Sequence, residues 1–316
     1  MATNNYSVGV DLGGTKIAVG LCKAGYIVKK VIFPTQACKG FKSVVSVIAK
    51  AFDKVAEGVD KRLIQGVGIG AAGQIDSLTG EVIFSPNLGW EHEPLGSAVK
   101  DHVSLPVSVL NDVRAATIAE YKYGNGRGLS SFGNIFVGTG LGSGFVINGQ
   151  LLTGSTNSAG EMGHMCMNLK GPECGCGKRG CLEAYASGTG MENYVKSQIK
   201  AGRKTIINEL VSNNISKIEG PIIGKAAEQK DELALEAIAR VGRYLGLAIA
   251  NVHTLLNVEM ILLGGGMMAL KPFFMPELEK TLRETVLPVA HKDRKLVKEA
   301  MFKDDAVLLG GAGLFS

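Results

Sequence analysis

Several residue types and patterns are scarce in this 316-residue chain, and each scarcity excludes a class of protein. A single Trp and 6% aromatic residues are too few for the base-stacking platform of a single-stranded nucleic-acid binder. Lys and Arg outnumber Asp and Glu by only five (34 − 29) and form no basic stripe, so we expect no nucleic-acid partner. No run of about 18 apolar residues occurs, and residues 1–7 lack the basic-then-apolar order of a signal peptide. We therefore expect a cytoplasmic protein that does not associate with membranes.

Sequence signatures of several common nucleotide-binding and catalytic folds are also missing. The chain has no Walker A motif, no protein-kinase motif set and no Gly-x-Ser-x-Gly nucleophile elbow. Gly68-x-Gly70-x-x-Gly73 fits the dinucleotide fingerprint by letter, but no acidic residue closes a following strand about 20 residues later, as ribose binding requires. We interpret this segment instead as a glycine turn that faces a cleft between two lobes.

Glycine is abundant, with 43 residues, about twice its usual share. Three glycine turns follow strand-like apolar runs: Asp11-Leu12-Gly13-Gly14-Thr15-Lys16, Gly138-Thr139-Gly140 and Gly264-Gly265-Gly266. Free backbone N–H groups in such turns suit phosphate, and a carboxylate at position 11 suits the orientation of a magnesium ion through water. Each turn alone also fits an ordinary hairpin or strand-to-helix connection. The three together favour a phosphate-bearing ligand.

Hydrophobic periodicity predicts an α/β protein in two lobes. Strands are predicted at 6–10, 16–22, 26–33, 63–70, 106–110, 134–139, 142–148, 150–153 and 258–263, and helices at 40–58, 112–123 and 231–257. The segment 171–180, rich in glycine and cysteine, is predicted to be a loop, and the chain from Leu182 onward has a mostly helical pattern. We place the border between the lobes near residues 113–115, where no low-complexity linker marks it.

Cysteine spacing indicates a metal site. Six cysteines are present, three of them between positions 174 and 181, and a disulfide framework is not expected in a cytosolic chain of this length. The thiols of Cys174, Cys176 and Cys181 together with the imidazole of His164 suit a closed tetrahedral zinc site. Four protein ligands leave no open coordination position, so we expect structural zinc. The alternative is a set of reduced, unliganded cysteines.

A set of polar residues completes the candidate site: Asn87, Asn111, Asp112, Glu161, His164 and Glu183. If they converge on one cleft they suit a polyhydroxylated ligand, because each buried hydroxyl group needs a hydrogen-bond partner. The alternatives are helix caps for the residues at 111 and 112, and surface carboxylates for the two glutamates.

These residues together resemble the ROK family of bacterial-type sugar kinases, which is related in fold to hexokinase, actin and the heat-shock ATPases. The resemblance covers nearly the whole chain. It is most specific in Ala159-Gly160-Glu161-Met162-Gly163-His164 and in Cys174-Gly175-Cys176-Gly177-x-x-Gly180-Cys181-Leu182-Glu183, which look like the family's zinc signature. Asp11 to Lys16 and Gly138 to Gly140 look like its phosphate motifs, and Ser85-Pro86-Asn87-Leu88 and Asn111-Asp112 look like its sugar-binding segments.

The resemblance implies an α/β, two-lobed actin-like/hexokinase-like ATPase fold with a cleft between the lobes. Residues 1–113, completed by about 302–316, form the first lobe in this prediction, and residues 114–301 form the second, with the zinc loop at 164–181. Two departures from the family pattern are visible. Ala72 stands where many members carry Pro, and the chain ends at Ser316, so we expect a looser turn near the sugar and a short last helix.

The resemblance also implies roles for individual residues. Asp112 is the implied general base, which takes the proton of the attacking sugar hydroxyl. The implied sugar ligands are Asn87, Asn111, Glu161, His164 and Glu183. The implied phosphate ligands are Asp11, Gly13, Gly14, Thr15, Lys16, Gly138, Thr139 and Gly140, and the implied adenosine contacts are Gly265 and Gly266. One ring nitrogen of His164 serves zinc and the other the sugar. ATP, Mg²⁺ and Zn²⁺ are the implied cofactors, and a homodimer or homotetramer is the implied assembly.

Four functions remain open at this point. An ATP-dependent hexose kinase, with glucose as the first substrate, is favoured. Kinases for N-acetylmannosamine, N-acetylglucosamine, fructose or mannose share the same catalytic residues, so the sequence separates them poorly. A sugar-responsive transcriptional repressor is disfavoured, because the phosphate motif starts at Asp11 and leaves no room for a DNA-binding module. An actin-like scaffold is disfavoured by the zinc loop.

Overall fold

The computed structural model describes residues 5–291 and 294–316 and shows a mixed α/β protein, which confirms the predicted fold class. The strands are β1 (Tyr6–Leu12), β2 (Lys16–Lys23), β3 (Tyr26–Pro34), β4 (Ile64–Ala71), β5 (Gln74–Asp76), β6 (Glu81–Ser85), β7 (Trp90–Glu93), β8 (Val107–Asn111), β9 (Phe132–Val137), β10 (Leu141–Ile147), β11 (Gln150–Leu151), β12 (Met260–Gly264) and β13 (Val297–Glu299). The helices are α1 (Phe41–Ala56), α2 (Leu95–Val103), α3 (Asp112–Tyr123), α4 (Glu183–Ala186), α5 (Gly188–Lys200), α6 (Ile207–Leu210), α7 (Gly220–Glu228), α8 (Glu232–Leu256), α9 (Lys271–Thr285), α10 (Pro288–His291) and α11 (Ala306–Gly313). Among the described residues, no helix combines the length and the apolar character that crossing a bilayer requires.

The chain forms two compact units. The first consists of the chain up to Asn134 together with Gly144–Gly160 and Ala300–Ser316, and the second consists of Ile135–Ser143 and Glu161–Glu299. The division falls later in the chain than the predicted border near residues 113–115, because α3 belongs to the first unit. The reason is packing, since α3 lies against α11, β4 and β8.

A five-stranded sheet of order β3-β2-β1-β4-β8 forms the centre of the first unit. The first three strands are antiparallel, and β4 and β8 run parallel to β1. The apolar stripe of α1, which includes Val44, Ile48 and Phe52, packs on this sheet and is fully buried. Parallel pairing places the carboxyl ends of β1, β4 and β8 along one edge, where ligands of open α/β sheets bind.

The last helix of the first unit, α11, lies with its backbone almost in contact with the sheet and with α3. A Cβ atom on Gly68 would stand 1.9 Å from the carbonyl oxygen of Gly311, and one on Gly310 would stand 1.6 Å from that of Ala115. Side chains of any size would prevent this approach. The family resemblance predicted a short last helix, and α11 has eight residues. The local sequence alone gives little helix signal there, because three of the eight residues are glycine, each of which lowers helix propensity by about 1 kcal/mol relative to Ala.

The interpretation of Gly68 to Gly73 as a glycine turn is wrong for most of its length. Gly66, Gly68 and Gly70 lie inside the extended strand β4. Their missing side chains make room for α11 and its continuation, as the ring of Phe315 lies 2.4 Å from a Cβ built on Gly66. Only Gly73 has turn geometry, with φ at 132°. These glycines serve helix packing and not dinucleotide binding.

The other predicted elements are present with small shifts in their bounds. A second five-stranded sheet has the order β11-β10-β9-β12-β13 and contains the predicted meander, and α8 covers the predicted long helix. Within the second unit, α8 and α9 also approach closely, because a Cβ on Gly242 would stand 2.2 Å from the carbonyl oxygen of Phe274. The three-stranded sheet β5-β6-β7, helix α2 and strand β13 were not predicted. Their short lengths give little periodicity to detect.

We predict that Gly68→Ala lowers the free energy of unfolding by about 3 kcal/mol, the upper end of ordinary overpacking penalties, because backbone must move to accept the methyl group. Gly266→Ala is the matched control, since a Cβ there meets no atom within 4 Å. Urea unfolding of both variants measures the difference. Equal stability of the two variants would contradict the packing role of Gly68.

Candidate functional site

In the first unit, a group of candidate site residues lies at the carboxyl ends of β1, β4 and β8. Asp11 is in register with Gly70, and one residue further along Ala71 is in register with Asn111. Asp112 follows at once as the first residue of α3. Three strand ends thus carry two carboxylates and an amide side by side, as the phosphate and sugar motifs require.

The first predicted phosphate turn connects β1 to β2 and is held by hydrogen bonds. The N–H of Gly13 donates to the carbonyl of Lys16 at 3.0 Å, and the hydroxyl of Thr35 donates to the carbonyl of Gly13 at 2.6 Å. A Cβ on Gly14 would stand 3.0 Å from the carbonyl oxygen of Asn87. The predicted sugar-binding segment around Asn87 therefore packs directly against the phosphate turn, while Thr15 and Lys16 are exposed.

Asn111 has the capping role that was left open, and it also fixes the turn after β4. Its side-chain oxygen accepts from the N–H groups of Val113 and Arg114 at 3.0 and 3.2 Å, which satisfies two free donors at the start of α3. Its amide donates to the carbonyl of Gly73 at 3.2 Å. The cap thereby sets the orientation of the Asp112 carboxylate, whose Oδ1 accepts from the N–H of Val113 at 2.9 Å.

The two carboxylates of this group are unusually basic. Burial and, to a smaller extent, the negative charge of Asp112 together raise the pKa of Asp11 to about 6, against smaller opposing effects of Lys16 and Lys30. Burial also raises the pKa of Asp112, although backbone hydrogen bonds at the helix start act in the opposite direction. Strongly perturbed carboxylates at a strand-end site are typical of catalytic or cation-binding groups.

Sequence reasoning missed a buried cation close to Asp112. Arg114 is 2% exposed, and its guanidinium donates to the side-chain oxygen of Asn157 and to the carbonyl of Ala159, both at 2.8 Å. The amide of Asn157 in turn donates to the carbonyl of Ile75 in β5. The sequence signal is weak: Arg114 stands among apolar residues of the predicted helix 112–123, and charged residues are rarely buried unless paired.

In the second unit, a separate group of candidate site residues centres on Glu183. One carboxylate oxygen accepts from the N–H of Leu141 at 2.9 Å, and the other lies 3.4 Å from the sulfur of Cys174, which donates to it. The turn Gly138–Gly140 is held further by Gly188, whose N–H donates to the carbonyl of Gly138 at 2.8 Å. Glu183 thus connects the second phosphate motif to the cysteine loop.

Glu161 precedes a short 3₁₀ turn, Met162–His164, and His164 is the last residue of that turn. Both residues are exposed. The N–H of Met162 donates to the hydroxyl of the buried Ser143 at 3.0 Å, which anchors this turn on β10. Gly265 and Gly266 follow β12. A Cβ on Gly265 would stand 2.4 Å from the carbonyl oxygen of Val137, whereas one on Gly266 would meet no atom within 4 Å. Packing alone therefore requires glycine at 265, and only Gly266 leaves open space for a ligand.

The four predicted metal ligands come together in the second unit. The ligand atoms of His164, Cys174, Cys176 and Cys181 all lie within 4.8 Å of one another. The sulfurs of Cys176 and Cys181 are 3.7 Å apart, and the sulfur of Cys174 is 3.9 Å from Nδ1 of His164. A tetrahedral zinc ion with Zn–S bonds of about 2.3 Å needs S–S separations of about 3.8 Å. The donor set and its spacing therefore fit such an ion.

Comparison with known proteins shows which family and which solved structures this chain is similar to. The sequence pattern of the ROK family matches residues 7–316. A glucokinase of Streptomyces coelicolor is 34% identical over 311 residues, which cover 98% of this chain and 96% of the relative. The crystal structure of a ROK family glucokinase from Streptomyces griseus in complex with glucose and AMPPNP is 34% identical, with a TM-score of 0.82 over 98% of this chain and 99% of that one. A xylose repressor of Caldicellulosiruptor bescii is 30% identical, covering 96% of this chain and 76% of the repressor.

This chain belongs to the ROK family, which confirms the resemblance seen in its sequence motifs. Kinases that match it do so over almost the whole length of both partners, and the structural likeness extends to the actin-like/hexokinase-like fold.

The Asp11 carboxylate generates a prediction on stability. Its folded pKa of about 6 lies above the ordinary value near 3.9, so the stability it contributes is present below the ordinary pKa and is lost as the pH rises through about 6. Asp11→Asn is therefore expected to be more stable than the parent at pH 8, with a gap that closes between pH 6 and 4. Thermal melts across this range test it.

Asp76→Asn is the opposite-sign control, because the N–H of Leu78 lowers the pKa of Asp76. Loss of that carboxylate is expected to reduce stability above pH 4. If Asp11→Asn behaved like Asp76→Asn, the assigned burial cost of Asp11 would be incorrect.

Proposed function

We propose that this ATP-dependent sugar kinase phosphorylates glucose on its 6-hydroxyl group, with Asp112 as the general base and a structural zinc ion in the cysteine loop. The observation that carries the proposal is the position of Asp112, at the first turn of α3 and beside Asp11, where three parallel strands end. Support also comes from the near-complete coverage of the glucokinase relatives.

Asp112 suits the role of base for two physical reasons. Burial raises the pKa of its carboxylate, and a base with a pKa nearer the working pH accepts a proton more readily in the transition state. The cap provided by Asn111 fixes its position, so that little reorganisation is needed during reaction. In the proposal Asp112 holds the hydroxyl hydrogen of the sugar and takes the proton as the oxygen attacks phosphorus.

The phosphates of ATP are assigned to the two glycine turns. Gly13, Gly14, Thr15 and Lys16 offer backbone N–H groups, a hydroxyl and a positive charge in the first unit, and Gly138, Thr139 and Gly140 offer a similar turn in the second. Asp11, with its raised pKa, orients Mg²⁺ through water in this proposal, because a divalent cation offsets the cost of a buried carboxylate. Gly266 receives the adenosine, and Gly265 shapes the turn behind it.

The sugar hydroxyls are assigned to Asn87, Asn111, Glu161, His164 and Glu183. Side-chain amides and carboxylates offer the paired donors and acceptors that hydroxyl groups need once water is excluded. Glu183 already accepts from the N–H of Leu141, which leaves lone pairs for a sugar hydroxyl and fixes the side chain in place. Of the sugar ligands, His164 is the one that also belongs to the proposed metal site.

Zinc would be held by His164, Cys174, Cys176 and Cys181, and when bound it supplies order to a loop that has few apolar residues of its own. The metal would orient the imidazole of His164 through Nδ1 and leave its other nitrogen for a sugar hydroxyl. Because Glu183 lies only two residues after Cys181, an ordered loop would also fix the position of a second sugar ligand.

Kinetics of substitutions at Asp112 test the base. We expect Asp112→Asn, which keeps an acceptor for the N–H of Val113, to lower kcat by about 10²–10⁴ because it removes the proton acceptor. Asp101→Asn, at an exposed position of α2, is the matched control and should keep the parent rate. A folded Asp112→Asn variant with unchanged turnover would refute the assignment.

The identity of the sugar substrate is tested with an assay that couples ADP release to a detectable reaction. The sugars compared are glucose, mannose, fructose, N-acetylglucosamine and N-acetylmannosamine. The highest kcat/KM is expected with glucose. A higher value with an N-acetylated sugar would contradict the choice of glucose and leave the kinase assignment intact. Sugar binding without turnover for every member of the panel would favour the sensing function of the repressor relatives.

Metal removal should affect sugar binding more than nucleotide binding. Cys176→Ser is expected to reduce bound zinc from one ion per chain, measured by elemental analysis, and to raise the KM for sugar while the KM for ATP changes less. The reason is that His164 and Glu183 are both attached to the cysteine loop. Cys38→Ser, an exposed cysteine outside the cluster, is the control. Equal zinc content in Cys176→Ser and Cys38→Ser would contradict the proposed metal site.

A further inference from the structure

Cys166 is a cysteine next to the metal cluster for which the proposed function has no use. Its thiol is exposed, and it lies two residues after His164. It forms an isolated antiparallel bridge with Cys181, one of the four clustered donors. The two residues therefore face each other across a short piece of β-structure.

The hydrogen bonds around this bridge define which kind of pair it is. The N–H of Met167 donates to the carbonyl of Gly180 at 2.7 Å, and the N–H of Leu182 donates to the carbonyl of Met165 at 2.8 Å. The bonds thus flank the residues at 166 and 181, which form a non-hydrogen-bonded pair. In such a pair the Cα atoms are about 4.5 Å apart and the side chains point to the same face. That spacing lies within the range that disulfide bonds span, about 4.4–6.8 Å between Cα atoms.

The two thiols differ in their access to solvent. Cys181 is 1% exposed, whereas Cys166 is open to small oxidants. A competing partner is close, because the sulfur of Cys176 lies 3.7 Å from that of Cys181. Cys176 belongs to the four-donor cluster, however, and Cys166 does not, so Cys166 stays a free thiol when the cluster holds a metal ion.

We propose that Cys166 is an oxidation site at which hydrogen peroxide converts the Cys166–Cys181 pair to a disulfide that displaces the metal. The sulfur of Cys166 attacks peroxide, so that an S–O bond forms, the O–O bond breaks and one water leaves. The sulfur of Cys181 then attacks the resulting sulfenic acid, which forms the S–S bond and releases the second oxygen as water. With Cys166 as a thiol and metal-bound Cys181 as a thiolate, the two sulfurs lose two electrons and one proton, a second proton comes from solvent, and one peroxide becomes two waters.

The disulfide removes a metal ligand, because a sulfur bound to sulfur carries no thiolate charge to donate. The metal consequence rests on the proposed zinc site, whereas the disulfide rests only on the register of the two segments. Reduction by a dithiol restores both thiols. The peptide mapping described below does not involve kinase activity, so failure of the kinase assignment and failure of this proposal are distinguishable.

Trypsin separates the cysteines concerned. Cleavage after Arg127, Lys170, Lys178 and Arg179 places Cys166 in peptide 128–170, Cys174 and Cys176 in peptide 171–178, and Cys181 in the peptide that starts at Gly180. The full-length, metal-loaded protein is treated with peroxide, alkylated, digested without reductant and mapped by mass spectrometry. We expect peptide 128–170 joined to the peptide that contains Cys181, about 2 Da below the summed mass, and the link should disappear after treatment with dithiothreitol.

Metal release under the same treatment is followed with a chromogenic chelator. Release from Cys166→Ser should be slower than from the parent protein, and Cys38→Ser, which removes an exposed thiol elsewhere, should match the parent. A parent map dominated by a link between peptide 171–178 and the Cys181 peptide, or a map without any link, would overturn the proposal. Equal release rates from Cys166→Ser and the parent would overturn the metal consequence.

Discussion

Backbone-to-backbone packing of α11 against the first sheet and α3 is the constraint on which the first unit depends. Glycines at 68 and 311 on one contact, and at 310 against Ala115 on the other, allow backbone to approach backbone where these elements meet. Protein interiors are packed as densely as crystals, so an added methyl group at these contacts would clash with backbone atoms. The packing fixes α3, and α3 begins at Asp112. The proposed base is therefore positioned by contacts made further along its own helix.

The burial of two carboxylates at the carboxyl edge of the first sheet is energetically unfavourable, and this indicates that the two groups have a function. Asp11 and Asp112 are buried at neighbouring strand ends, and each is harder to ionise for that reason. A fold selected for stability alone would place apolar or amide groups there. Two half-buried carboxylates beside a glycine turn are useful where a divalent cation and a proton-bearing hydroxyl group are to be bound, which is the chemistry of phosphoryl transfer from ATP to a sugar.

In the second unit Glu183 has the corresponding central place. It contacts Leu141, next to the glycine turn 138–140, and Cys174 of the cysteine loop. One carboxylate, itself a proposed sugar ligand, therefore connects the proposed phosphate turn to the cluster of candidate metal donors. Cys181 is joined by backbone hydrogen bonding to the segment that contains Cys166. The proposed oxidation of Cys166 would therefore take place within two residues of His164 and next to the loop that precedes Glu183, the two proposed sugar ligands of this unit.

The sequence by itself determined the strands of the first sheet, the capped start of α3, the long helix α8 and the four clustered metal donors. Such features are encoded within a few residues, by alternation, by a capping side chain or by ligand spacing. Only the tertiary structure decided that the backbone of α11 lies against β4, that the glycines of β4 serve helix packing, that Arg114 is buried against Asn157, and that Cys166 faces Cys181. The physical reason is common to all four: the partner that gives each residue its role lies far away in the chain. The residues next to a glycine or a cysteine in the sequence do not indicate which distant segment of the chain packs against it.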